Sequence, residues 1–317
     1  MMNKENKIKK IAVLMASYNG EKYITQQIES ILNQDVENPI QLIIRDDGST
    51  DNTVSVVKSL CEKDDRITLI SSQNVGGVAC FFALLRIAHD LPDDYAYFAL
   101  SDQDDVWDLD KLRIGVESIE SVATDAPVLY GSITRPVNKN LEPIEFKKRE
   151  FLPFDFYNTI IQNKIPGHTH IMNRALLNHV YDADPSRVYV HDAYIVNAAN
   201  IAGTLIFDNN PHVSYRQHGG NQLGTSRNSR LKWILNRLTR LKKGDGVQYA
   251  RQIEYVVNCF GDKLTSEQQK EMRGFLESRD SFWKRLKYVS HTKLYRQDSF
   301  DTFAFKLMYL FGGYNIK

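Results

Sequence analysis

The sequence predicts an α/β fold with a mostly parallel central sheet, followed by a helical C-terminal extension. Three observations carry that expectation. From Ile11 onward short apolar runs alternate with amphipathic segments, the pattern of strand–helix units in a parallel sheet covered on both faces. Three of those runs end in polar clusters, Ser17-Tyr18-Asn19, Asp46-Asp47-Gly48-Ser49 and Ser101 to Asp105. Beyond Arg227 the pattern is nearly all helical and rich in aromatic and basic residues.

The elements follow in order. IAVLMAS has the length and continuity of a buried strand, and EKYITQQIESILNQ then puts Ile24, Ile28, Ile31 and Leu32 on one helical face. QLIIRDD reads as the second strand, GSTD as a turn, and residues 51 to 61 as a helix for which Asp51 fits the N-cap. ITLISS is the third strand, 78 to 90 a helix, YAYFALSD the fourth strand, and a further helix starts near Leu109. Residues 126 to 225 are less regular. There APVLYGSITR and TLIFDNNPHVSYRQH read as strands, MNRALLNHVYD and DAYIVNAANIAG as helices. The expected domains are 1–225, with halves 8–125 and 126–225, and an extension over 226–317.

Composition narrows the class. The 317 residues are 42% hydrophobic and 25% charged, which suits a globular protein with an ample core. A formal net charge of +1 gives no global argument for nucleic acid. Cys61, Cys80 and Cys259 lie far apart, without zinc spacing, and fit a reducing compartment. The polar, basic start MMNKENKIKK precedes an apolar run too short for a signal peptide or a membrane span. The expectation is a cytoplasmic protein, free to sit on the inner face of a membrane.

In open parallel sheets ligands bind beyond the carboxyl ends of the strands, so the three polar clusters should converge on one crevice. Neither a G-x-G-x-x-G turn after the first strand nor a G-x-x-x-x-G-K-[ST] loop is present, which removes the dinucleotide and P-loop readings. Instead LSDQDDVW gathers Asp102, Asp104 and Asp105 within four positions. Such carboxylates repel one another unless a cation joins them. Mg²⁺ or Mn²⁺ suits the role, because these ions take few protein oxygens and share their coordination with substrate phosphates.

Together VLMASYNGEKYITQQIESILNQ, IIRDDGSTDNT, NVGG and LSDQDDVW resemble glycosyltransferase family 2, with its GT-A fold. The resemblance spans about residues 8 to 225, and SDQDDVW, HDAY and YRQHGGN are most similar to the rhamnosyltransferase-like members of bacterial polysaccharide biosynthesis. It implies a nucleotide-sugar-binding half over 8–125, an acceptor-binding half over 126–225, and an inverting, metal-dependent transfer of a sugar. The donor would be dTDP-rhamnose, or a UDP-hexose or UDP-N-acetylhexosamine, and the acceptor a lipid-linked glycan. By the same resemblance Ala16, Ser17, Tyr18 and Glu21 line the nucleobase pocket, with Asp47 on the base and Asp46 beside it. Asn74 and Gly76 lie near the ribose and diphosphate, where Phe81 and Phe82 replace the basic residue that many relatives carry in the next helix. Asp104 binds the metal directly and Asp102 the ribose or the metal through water, with Gln103 between them; Asp105 starts the next helix or orients the loop. His218 joins the metal shell. Asp192 is the general base with His191 as its neighbour, and Gly167, His168 and Thr169 meet the acceptor.

Two features stand apart from those motifs. Between Arg227 and Lys243 there are seven basic residues and no acidic one, with Leu231, Ile234, Leu235, Leu238 and Leu241 at helical spacing. That segment fits an anionic membrane surface, or a packed helix with solvated flanks; no base-stacking module accompanies it to suggest nucleic acid. A nucleotidyltransferase would also pair carboxylates with a divalent ion. ASYNGEKY, however, lacks the glycine- and basic-rich loop that holds a triphosphate.

Overall fold

In the computed structural model the described residues are 9–122, 125–145, 150–218 and 245–315. They fall into two units, the first within 1–147, 164–185 and 203–221, the second within 148–163, 186–202 and 222–317. The expected basic segment 227–243 lies outside the described residues.

The first unit is built on a seven-stranded sheet. In chain order its elements open with β1 (Lys10–Ser17), α1 (Ile24–Leu32), β2 (Ile40–Asp46), α2 (Thr53–Cys61), β3 (Ile67–Ser71), α3 (Gly77–His89) and β4 (Tyr95–Ser101). Then come β5 (Val106–Trp107), α4 (Lys111–Ser121), β6 (Val128–Ser132), β7 (Arg135–Val137), β8 (Ile171–Asn173), α6 (Arg174–Val180), β9 (Thr204–Asp208) and β10 (Val213–Arg216). The strand order is β3-β2-β1-β4-β8-β6-β9, with only β8 antiparallel to its neighbours β4 and β6. A smaller sheet, β5-β10-β7, lies in the same unit.

Burial on both faces explains the unbroken apolar run of β1, in which Ile11 to Met15 are all fully buried. Ile11, Val13 and Met15 pack with Ile24, Ile28 and Ile31 of α1, Val57 of α2 and Leu112, Val116 and Ile119 of α4. Helix α3 packs against β1 and buries Cys80, Phe81, Phe82, Leu84 and Leu85. Each such aliphatic or aromatic side chain contributes roughly 1.5–3 kcal/mol on burial. Phe81 and Phe82 are therefore core residues. The strand order steps outward from β1 to β3 on one side and to β4 on the other, which opens a crevice at the carboxyl ends of β1 and β4.

Several expectations are corrected. The segment 126–135 holds β6 and the start of β7, and 204–218 divides into β9 and β10, between which Pro211 lacks an N–H to continue the ladder. MNRALLNHVYD starts as the end of β8, after which Asn173 caps α6 by accepting from Leu176 N (2.9 Å). Helix α4 starts at Lys111 rather than Leu109, because Asp108 N first donates to His212 O (3.0 Å) and Leu109 stays in the turn. The cap position of α2 is Asn52, although Asp51 Oδ1 still accepts from Thr53 N (3.0 Å).

Among its described residues the second unit contains α5 (Phe156–Thr159), α7 (His191–Ala202) and the C-terminal helices α8 (Asp245–Phe260), α9 (Ser266–Glu277), α10 (Phe282–His291) and α11 (Ser299–Leu310). It takes in 148–163 and 186–202, which the sequence reading placed in the first 225 residues. Aromatic packing is the reason. Tyr194 of α7 stacks on Tyr255 of α8 at 5.7 Å and meets Phe260 at 6.0 Å. Asn200 donates to Phe154 O (2.7 Å) and Thr159 Oγ1 (3.0 Å). No helix among the described residues is long and apolar enough to cross a membrane.

One glycine of the first unit gives a direct test of packing. Gly203 precedes β9, and a Cβ there would lie 1.9 Å from Pro127 O, a backbone atom that also accepts from Thr204 N. Gly203→Ala is expected to destabilise the protein by about 2–3 kcal/mol, since the clash is with main chain rather than a movable side chain. Thermal unfolding checks it. An unchanged Tm would mean that β6 and β9 can separate freely at this point.

Candidate active site

The carboxyl ends of β1, β2 and β4 bring Ser17, Asp46 and Ser101 to one edge of the sheet, with Ser17 opposite Asp46 and Ser101 opposite Met15. Asp46 is buried and acts as a knot. Its carboxylate accepts from Ser17 Oγ (3.1 Å), Ser49 N (2.9 Å) and Ser49 Oγ. Asp47, also buried, accepts from Val75 N (3.0 Å) and Gly76 N (2.9 Å) and pairs with Arg45. It thereby fixes the loop after β3, where Gly76 turns with φ 86, a backbone state that favours glycine. Asn74 in that loop is exposed.

The loop after β1 is locked to the loop after β4. Tyr18 N donates to Gln103 Oε1 (2.8 Å), and Gln103 Nε2 donates back to Tyr18 O (2.9 Å). Tyr18 is half-exposed, Ala16 is partly buried, and Glu21 Oε2 accepts two bonds from Asn52 at 2.9 Å. Ser101 is held by Gln27 Nε2 (2.8 Å) and Trp107 N by Ser30 Oγ (3.1 Å), so α1 shapes the LSDQDDVW turn.

Within that turn each carboxylate meets a histidine. Asp104 Oδ2 lies 2.6 Å from His218 Nε2. Asp102 Oδ2 lies 3.1 Å from His168 Nδ1, and Asp105 Oδ2 lies 3.5 Å from the same nitrogen. Burial and the neighbouring Asp102 charge raise the pKa of Asp104. Asp105 is fully buried, and desolvation pushes it up as well. Burial opposes charge on His168, but the Asp105 and Asp102 carboxylates outweigh it and move its pKa up to about 9. The field that keeps a proton on His168 is one suited to a cation. Asp102, Asp105 and His168 bring one ligand atom each within 4.8 Å of one another, and Asp105 Oδ2 has no hydrogen-bond partner among the described residues. Two oxygens and a nitrogen in that space fit a divalent ion.

Asp105 does not start a helix; two residues of β5 follow it, and its Oδ1 accepts from Arg216 N (3.3 Å). His168, in the turn Gly167–Thr169, lies against the carboxylates and stacks on Tyr215 at 5.0 Å. Thr169 is fully buried; its hydroxyl donates to Pro166 O (2.7 Å) and accepts from Ser132 N (3.2 Å), which holds the loop. Gly167 is buried in the same turn.

Asp192 belongs to the second unit. It lies in the first turn of α7, accepting from Ala193 N (2.7 Å), and His191 before it is partly buried. Gln252 Oε1 of α8 accepts from Tyr189 N and Val190 N, both at 2.8 Å, and so sets where α7 begins.

Arg216 and Lys111 join this region without a local motif to mark them. Arg216 Nε donates to Asp104 O (2.8 Å), Nη1 to Lys139 O (2.7 Å) and Nη2 to Gln26 Oε1 (2.7 Å), with the guanidinium 4.5 Å from the Tyr23 ring centre. Lys111 is fully buried with Nζ 3.2 Å from the Trp107 ring centre and no hydrogen-bond partner among the described residues. Burial takes its pKa well below the ordinary lysine value, against the pull of Asp105. A second group, Asp108, Asp110 and His212, is internally paired. There Arg135 holds Asp108, and His212 bridges Asp110 (3.0 Å) and Asp208 (3.1 Å).

Comparison with known proteins identifies the family and the fold. The family model for glycosyl transferase family 2 matches residues 12–180. The chain is 27% identical to the dTDP-rhamnosyl transferase RfbG of Shigella flexneri, over 85% of this chain and 93% of that protein. It is 29% identical to the Escherichia coli UDP-Glc:alpha-D-GlcNAc-diphosphoundecaprenol beta-1,3-glucosyltransferase WfgD, over 53% of this chain and 62% of that one. Among solved structures, S. aureus TarS 1-349 in complex with UDP superposes with a TM-score of 0.56 at 18% identity, covering 85% of this chain and 71% of TarS. That likeness establishes the GT-A-like fold.

Proposed function

The chain belongs to glycosyl transferase family 2, and from that premise we propose that it moves L-rhamnose from dTDP-rhamnose onto a lipid-linked glycan. The observation that carries the reading is the set of polar ends of β1, β2 and β4, where an Asp-x-Asp pair backed by two histidines follows β4 and the Asp46–Asp47 pair ends β2. The rhamnose assignment is supported by the likeness to RfbG over most of both chains, and the lipid-linked acceptor by the name of WfgD.

The reaction is one in-line displacement. An acceptor hydroxyl attacks the anomeric carbon, a new glycosidic C–O bond forms, and the bond to the diphosphate breaks with its electron pair on the leaving oxygen. The hydroxyl proton passes to the Asp192 carboxylate as general base. Ala16, Ser17 and Tyr18 line the base pocket, and Asn74 and Gly76 approach the ribose and diphosphate. Asp104 and Asp102, with His218 and His168 behind them, would hold Mg²⁺ or Mn²⁺. When bound, that ion offsets the negative charge of the departing diphosphate.

The donor side has a checkable hinge in Gln103. Its two bonds to the Tyr18 backbone hold the nucleotide-facing loop in place. Gln103→Ala is expected to weaken donor binding by about tenfold, roughly the worth of one to two hydrogen bonds, while the protein stays folded. Calorimetry with dTDP reads it; wild-type affinity in the variant would show that the loop needs no such tie.

A second reading, transfer of a hexose from a UDP-sugar, is favoured by the likeness to WfgD. The stereochemistry of the product tests both together. NMR should find the anomeric configuration inverted, and retention would overturn the single displacement.

A further inference from the structure

The last two helices carry a surface that the transfer reaction does not use. Inside the second unit, Tyr288 of α10 packs on Phe275 and on Tyr309 of α11, and Phe305 and Tyr314 complete the cluster. The opposite side of α11 is apolar too. Phe300, Phe303, Leu307 and, one residue past the helix, Phe311 are exposed. Their spacing puts them on one stripe, which at 1.5 Å per residue is about 16 Å long. Helix α10 adds exposed Phe282, Trp283 and Leu286. Arg285, in the same turn, donates Nε to Leu310 O (2.8 Å) and ties this group to the end of the stripe. Trp283 and Phe311 are 74% and 75% exposed. Single exposed apolar residues are ordinary, but a contiguous stripe of large ones marks a contact surface.

Charge decides what the contact is. From Phe282 to Gln297 the chain has five basic residues and no acidic one. Lys284 and Lys287 are exposed beside Trp283 and Leu286, and Lys306 is partly exposed on α11. Asp280 lies 3.1 Å from Lys284, but both are well exposed, so that pair is weak and separable. Asp298 is occupied in capping α11. Aromatic rings flanked by lysines suit the boundary between headgroups and acyl chains, where the rings leave water and the ammonium groups meet phosphates.

We propose that the α10–α11 face docks on an anionic membrane surface, with Phe300, Phe303, Phe311 and Trp283 entering the headgroup boundary. This deepens the lipid-linked acceptor reading by naming the surface that brings the protein to such an acceptor. Its test reads binding alone.

The experiment is co-sedimentation of the full chain with phosphatidylcholine vesicles, with and without about 30% phosphatidylglycerol, at low and high salt. The wild type should bind the anionic vesicles at low salt, with a blue shift in tryptophan emission that Trp283→Phe removes. Phe303→Ser with Phe311→Ser should lower binding by at least about tenfold, and Lys284→Gln with Lys287→Gln by several-fold with a weaker salt dependence. Both pairs are exposed, so Tm and activity on a short soluble acceptor should stay at wild-type values. Undiminished binding in the Phe pair would overturn the proposal, and so would a loss confined to Arg237→Gln, Arg240→Gln, Lys242→Gln and Lys243→Gln. It would also fall if the wild type ignored the vesicles, or formed a dimer that the Phe pair splits without any vesicle binding. Vesicle binding by a protein that transfers no sugar would instead count against the proposed function alone.

Discussion

Asp104→Asn should leave a folded protein that no longer binds nucleoside diphosphate in a metal-dependent way. The amide has the shape of the carboxylate and can keep a hydrogen bond to His218, now 2.6 Å from Asp104 Oδ2. What it lacks is charge. Asp104 is already held against protonation by few forces, since burial and Asp102 both raise its pKa and His218 opposes them. In the proposed metal site, replacing it would remove one of few anionic ligands. Turnover should fall by at least about 10³, the scale of losing charge stabilisation at a leaving group, with Mn²⁺-dependent dTDP affinity falling alongside. Calorimetry with and without Mn²⁺ measures the binding part. Wild-type affinity with Mn²⁺ would remove Asp104 from the metal site.

Asp192→Asn should separate binding from chemistry. Asp192 sits in the first turn of α7 and accepts from Ala193 N (2.7 Å), a bond the amide oxygen can also accept. The helix start is fixed independently by Gln252, so the variant should fold. Donor affinity should be nearly unchanged while turnover falls by at least about 10², as expected when a general base is lost. Near-normal turnover would place the base elsewhere.

The sheet was legible because β1, β2 and β4 are continuous apolar runs, and continuity is what burial on both faces produces. The polar ends of those strands were legible for the same reason, since chain direction in a parallel sheet fixes which ends meet. His168 was harder. Its place beside Asp102 depends on β8 running antiparallel next to β4, with Leu100 N bonded to His170 O (3.1 Å). Nothing local in PGHTHIMN announces that pairing, so the histidine read as an acceptor contact. Lys111 opens α4, two residues after the start expected near Leu109. Its burial follows from β5, two residues long, pairing with β10 more than a hundred positions away and turning Trp107 inward. Arg216 was hidden in the same manner, one strand from the carboxylates in space and far from them in sequence. Short strands with distant partners carry little local pattern.

The central claim is a metal-dependent site for a dTDP-sugar, and the thermal shift given by a panel of nucleotide sugars tests it most directly. A ligand that binds only the native state raises Tm, and at a fixed ligand concentration the rise grows with the logarithm of its affinity. dTDP-rhamnose with Mn²⁺ should give the largest rise, UDP-glucose and UDP-N-acetylglucosamine smaller ones, and chelation of the metal should abolish all of them. A larger rise with a UDP-sugar would contradict the rhamnose assignment, and no rise with any nucleotide sugar in the presence of Mn²⁺ would contradict the account as a whole.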